Sequence, residues 1–257
     1  MLVLLSCAKT MSAVSKVKVP LTTIPRFQKE AAEIALQMSQ FSVDELERLL
    51  RVNAKIAVEN YKRYQAFHAE TTPELPALLA YTGIVFKRLN PKDFSAEDFG
   101  YAQEHLRLTS FCYGLLRPLD VIRAYRLEGD VVLPELGNQT MFSYWQSRLT
   151  DIFIEDIKNA GGILCNLASD EMKNLFDWKR VEKEVRVITP EFQVWKNGKW
   201  ASVVIYIKMS RGEMTRFVLK NKIENPEELK HFSWEGFEFN ESLSDEKKFV
   251  FTNGKEI

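Results

Sequence analysis

The chain has 257 residues, 46% hydrophobic and 27% charged, and its 35 lysines and arginines are balanced by 35 aspartates and glutamates. That length suits one large core or two small domains, and the zero net charge excludes a histone-like coat, so any nucleic-acid contact must come from a local basic patch. Three scattered cysteines, Cys7, Cys112 and Cys165, with no CxxC pair, exclude a disulfide framework and a zinc knuckle and fit a reducing compartment.

Leu2 to Leu5 is a short apolar run expected to form a buried strand, and it passes at once into Ser6-Cys7-Ala8-Lys9-Thr10. Small polar residues and a lysine at the carboxyl end of a strand stand where open α/β sheets hold ligands. A plain turn with a solvated Lys9 reads equally from the same residues. The leading run is too short for a signal peptide and lacks a basic leader, and no stretch approaches a membrane span. A cytoplasmic protein with no membrane partner is therefore expected.

Ile24 to Gln40 has helical spacing, and Phe41 to Phe67 reads as two tightly joined helices. Ser42 and Glu45 make a capping box for the first, and Asn53 caps the second. Residues 42–68 thus outline a helix-hairpin-helix-like unit. Arg48, Arg51 and Lys55 at its turn, with Lys62 and Arg63 beyond, suit sequence-independent contact with the phosphates of double-stranded DNA. The turn, Arg51-Val52-Asn53, lacks the usual glycines, and an ordinary helical pair with a solvated basic face accounts for the same pattern.

Residues 78–89 are expected as a strand or buried segment bent at Gly83, and Ser95 with Asp98 opens the next helix. Residues 104–128, EHLRLTSFCYGLLRPLDVIRAYRLE, follow. Leu106, Leu108, Phe111, Cys112, Leu115 and Leu116 are spaced to press one face of a helix into a core. Pro118 would end that helix ahead of Arg117. The four arginines, Arg107, Arg117, Arg123 and Arg126, need anionic partners from a ligand or from Glu104, Asp120 and Glu128.

Asn138 is expected to cap a long amphipathic helix that Gly161-Gly162 ends. Ile163 to Leu167 is a second buried strand; after it, Ser169 can cap a helix and Asp170 sits in its first turn, where the helix dipole favours a carboxylate. Asn197-Gly198 marks a hairpin whose return strand, Ala201 to Ile207, is expected to end at Lys208-Met209-Ser210-Arg211-Gly212 before a helix. Residues 232–253 alternate like a closing hairpin.

Side by side, three such strand ends would gather Lys9, Asn166, Asp170, Lys208 and Arg211, joined by Arg117 and Arg126 and lined by Ser6, Arg107 and Ser169. A mainly cationic cleft of this kind suits a phosphate-bearing ligand. The spacing of His68, His105 and His231 suggests no metal cage, and no cofactor is identified.

The blocks LLSCAKT at the start, HLRLTSFCYGLLRPLDVIRAYRLE in the middle, NLASDE at 166 and KMSRGEMTRF at 208 together resemble the YaaA family of bacterial peroxide-stress proteins along nearly the whole length. The resemblance implies one α/β domain over residues 1–257, with a mixed central sheet flanked by helices and a helix-hairpin-helix. It also implies binding of double-stranded DNA and a role in limiting iron-driven oxidative damage, with no settled enzymatic reaction. Two departures stand out: Cys7 replaces the family's usual proline, and Gly83-Ile84-Val85-Phe86 replaces its usual GDVY, removing an acidic residue and a phenol.

Three functions follow as expectations. The first is a cytoplasmic stress protein holding DNA by its phosphates. The second is an enzyme acting on a nucleotide or other phosphorylated small molecule, with Asp170 or Glu128 as general acid or base if burial moves its pKa toward neutrality. The third is direct iron handling, which needs carboxylates and histidines clustered in space.

Overall fold

Strand β1 (Leu2–Leu5) is buried at all four positions, as a strand covered on both faces must be, which is why its residues do not alternate. The structure, a computed structural model, describes residues 1–254. In chain order β1 is followed by α1 (Gln28–Met38), α2 (Val43–Leu50), α3 (Ala54–Ala66), β2 (Glu74–Pro76), α4 (Ala77–Ala80), α5 (Ile84–Leu89) and α6 (Ala96–His105). Next come β3 (Leu106–Ser110), β4 (Gly114–Leu116), β5 (Val121–Arg123), β6 (Val132–Leu133), β7 (Gln139–Thr140), α7 (Met141–Asn159), β8 (Ile163–Asn166) and α8 (Trp178–Glu184). The chain closes with β9 (Arg186–Lys196), β10 (Lys199–Ala201), α9 (Val204–Asn221), β11 (Glu238–Phe239) and β12 (Lys248–Asn253).

The fold is mixed α/β, built on one sheet in the order β11-β12-β9-β8-β1-β3-β4, with β10 paired to the far half of β9. Its central run from β12 to β3 is parallel; β4, β10 and β11 join antiparallel at the margins. Helix α7 packs on β4 and β8, α6 on β1 and β3, and α9 on β9, and the apolar side chains between them form one contiguous core. β1 lies in the middle, so the loop leaving its carboxyl end has neighbours on both sides.

Three expectations are corrected. Residues 106–116 form the β3–β4 hairpin rather than a helix, because β3 is buried at every position and its apolar residues then follow no surface period. Gly114, at φ +70°, makes the reversal; a Cβ there would stand 2.7 Å from the Trp145 ring. Residues 78–89 form the short helices α4 and α5 with Gly83 at the start of α5, since a short buried run does not distinguish helix from strand.

The third correction touches the site directly. The return strand β10 stops at Ala201 and helix α9 begins at Val204, so the β-branched run Val203-Val204-Ile205 yields to tertiary packing farther along the helix. Gly212 lets α9 meet α5 closely; a Cβ there would lie 2.3 Å from the Val85 carbonyl oxygen. One cap also moves: Thr140, not Asn138, accepts the first-turn N–H of α7, from Ser143. The hairpin at Asn197-Gly198, the Ser42–Glu45 capping box and the Asn53 cap stand where the sequence put them.

Candidate functional site

Parallel pairing sets Leu4 opposite Asn166, so β1 and β8 end together. The Ser169 N–H donates to Ser6 Oγ at 2.9 Å, and the two hydroxyls are 3.2 Å apart. Asn166 is buried; its Oδ1 accepts from the Ala168 N–H at 3.2 Å, while its Nδ2 has no hydrogen-bond partner. Three of the expected residues thus close the seam between two strand ends.

Beyond the seam, Lys9 Nζ donates to Glu128 Oε2 at 2.7 Å. Arg126 Nη2 stands 3.3 Å from Glu128 Oε1, close enough for charge attraction but without hydrogen-bond alignment. Glu128 Oε1 and Arg126 Nε are therefore both buried and without hydrogen-bond partners. The segment carrying them is pinned from behind: the Tyr64 hydroxyl donates to the Arg126 carbonyl at 2.6 Å, and the Tyr125 hydroxyl lies 2.8 Å from that of Tyr81 and 2.6 Å from that of Ser110. Lys9, Phe111, Arg126, Glu128, Glu171 and Met172 line the resulting small cleft. Cys7 also borders it, but burial pushes its thiol up to about 12, which keeps it protonated and a poor nucleophile.

The other arginines of the central stretch go elsewhere. Arg107 is buried, donates from Nε to Asp156 Oδ2 at 2.7 Å, and spends Nη1 on the carbonyls of Gln103 and Leu106. Arg117 follows β4, which runs antiparallel back toward the amino end of β3, and donates from Nη2 to Asp120 Oδ1 at 2.9 Å. Arg123 is held by Glu74. Only Arg126 reaches the cleft.

Lys208 and Arg211 belong to α9 rather than to a strand end. Lys208 is exposed. Arg211 is half-buried with its Nε unpartnered; burial lowers its pKa against the pull of Asp170. Asp170 itself is exposed and hydrogen-bonded to Lys173 at 2.8 Å, which holds its carboxyl below the ordinary value. The burial that would have made it a neutral-pH acid or base is absent, so that role is withdrawn. Glu171, Phe111 and the Tyr81–Tyr125–Ser110 hydroxyl chain were not anticipated; the only sequence signal was their place in or beside the quoted blocks.

The α2–α3 pair stands next to the cleft. It packs inward through Leu46, Leu50, Ala57 and Tyr64, and Arg51 takes a left-handed conformation, φ 51°, to join the helices. Arg51 is bonded to Asp130, two residues past Glu128. Asp130 first, then the more distant Glu128 and Glu171, hold the Arg51 pKa above its ordinary value. Arg48, Lys55 and Lys62 are exposed and form no ion pair among the described residues.

Among the described residues no group of three or more histidine, cysteine, aspartate or glutamate side chains is placed to hold a metal ion, and none of the helices is long and apolar enough to cross a membrane.

A family model described as "Peroxide stress protein YaaA" matches residues 1–243. A UPF0246 protein of Bacteroides thetaiotaomicron is 91% identical over 254 residues, covering 99% of each chain. Another, from Bacteroides fragilis, is 80% identical over 255 residues with the same coverage. A UPF0246 protein of Saccharophagus degradans is 34% identical over 255 residues, 98% of this chain and 99% of its own.

Proposed function

The chain belongs to the peroxide stress protein YaaA family, and from that premise we propose that it serves the peroxide response in the cytoplasm by holding double-stranded DNA without sequence preference, thereby helping to limit iron-driven damage. The observation that carries this reading is the α2–α3 pair, where Arg48, Lys55 and Lys62 are exposed and form no ion pair among the described residues. Cations already paired have little to gain from a phosphate, whereas free ones release the counterions that drive binding. Phosphate contacts position a protein on a duplex without reading its sequence, so duplexes of unrelated sequence should bind alike. Fluorescence anisotropy on several such duplexes tests this; a strong preference for one sequence contradicts it.

A second reading is favoured by the cleft. Buried polar atoms that lack partners are uncommon, and Glu128 Oε1 and Arg126 Nε lie together there, with Glu128 at 5% exposure. They fit an enzyme or binding protein for a nucleotide, another phosphorylated molecule or a different small polar ligand. A thermal-shift screen checks it, since a ligand that prefers the native state raises its melting temperature.

A further inference from the structure

We propose that the cleft beyond β1 binds a small zwitterion of the α-amino-acid class, whose carboxylate is taken by Lys9 and Arg126 and whose ammonium is taken by Glu128 and Glu171. This assignment rests on the second reading above, that a small ligand enters the cleft.

The charge of the lining decides the class. Two cations, Lys9 and Arg126, share the cleft with two carboxylates, Glu128 and Glu171, so the cleft is balanced rather than cationic. A phosphate dianion approaching the cations meets Glu128, which lies 2.7 Å from one and 3.3 Å from the other, and like charges at such range repel strongly. A molecule with opposite charges at its two ends satisfies both pairs.

Size agrees with charge. The space at the floor of the cleft is about 50 Å³, room for a few waters where one needs roughly 10–15 Å³. The charged head of an amino acid fits that space, while a nucleotide could seat only a part of itself there. Phe111, Leu127 and Met172 supply an apolar wall for an aliphatic side chain.

The existing ion pair supplies the way in. Lys9 has a side chain 64% exposed, so it can turn from Glu128 to an incoming carboxylate without disturbing the core. Arg126 stays beside Glu128 throughout and spares it an uncompensated buried charge.

Isothermal titration calorimetry tests the assignment with leucine, its one-ended analogues isocaproate and isoamylamine, and AMP. Leucine is expected to bind at least about tenfold more tightly than either analogue, because each analogue leaves one charged pair in the cleft unmatched. Lys9→Met, a change at an exposed side chain, is expected to weaken leucine binding by about tenfold while the circular dichroism spectrum stays unchanged. Equal binding of leucine and isocaproate overturns the zwitterion. Binding of AMP but not leucine also overturns it, yet leaves the small-ligand reading standing; binding of no probe overturns both.

Discussion

Arg107 donates to Asp156 from a position 7% exposed, and removing it strands a carboxylate that is itself buried. Breaking such a pair costs about 3–5 kcal/mol; Arg26 reaches the other Asp156 oxygen at 3.3 Å from the surface and should keep the loss near the lower figure. Urea unfolding of Arg107→Met measures it. Asp98 gives a pH test. Burial pushes its carboxyl up, but Lys220 at 2.8 Å together with the N–H and hydroxyl of Ser95 outweighs this and leaves the pKa below the ordinary value. A carboxylate depressed in the folded state adds stability above its unfolded pKa and loses it as pH falls through the folded value. Asp98→Asn should therefore be less stable than the parent at pH 6, with the gap closing below about pH 4, as urea midpoints across that range would show. The pairing of Arg117 with Asp120 was legible because they stand three positions apart. That of Arg107 with Asp156 was not, since they stand 49 positions apart and only the seating of α7 on the sheet brings them together.

Helix α9 is where reading by local pattern failed with most consequence for the site. Its first turns carry a β-branched run, exposed at Val204 and Ile205, while the positions that anchor it, Ser210, Gly212, Met214 and Val218, are buried later along the helix. Local preference favoured a strand; burial against α5 and β9 selected the helix. Gly212 is the residue that permits this. Gly212→Ala should force the helices apart at Val85 and destabilise the protein by about 1–3 kcal/mol, seen as a lowered melting temperature. By contrast α2 and α3 were legible residue by residue, because capping is local chemistry: Ser42 with Glu45 and Asn53 with Ile56 make the bonds their spacing announced. The same locality made the Asn197-Gly198 hairpin readable.

Across the whole molecule, the buried strands β1 and β8 followed from apolar runs and turn residues and the α/β class from the family resemblance, but the strand order followed from neither. Nothing in the sequence says that β9 leaves β8 after three residues to pair with β12, and that long-range choice determines where α9 and its basic residues sit. The cleft was foreseen as a meeting of positive charges. The fold instead delivers Lys9 and Arg126 already matched to Glu128, while the neighbouring helical pair carries exposed cations that form no ion pair among the described residues. A protein with zero formal net charge that uses a few unpaired cations should bind DNA weakly and with a shallow salt dependence. Three phosphate contacts, from Arg48, Lys55 and Lys62, correspond to a slope of log affinity against log salt of about −2.7. The most direct test is fluorescence anisotropy on a duplex across a salt series, for the parent protein and for the variant carrying Arg48→Ala and Lys55→Ala. The account predicts a slope near that value for the parent and one smaller by about 2 units for the variant, with weaker binding at low salt. Binding that ignores salt, or a variant indistinguishable from its parent, would contradict it.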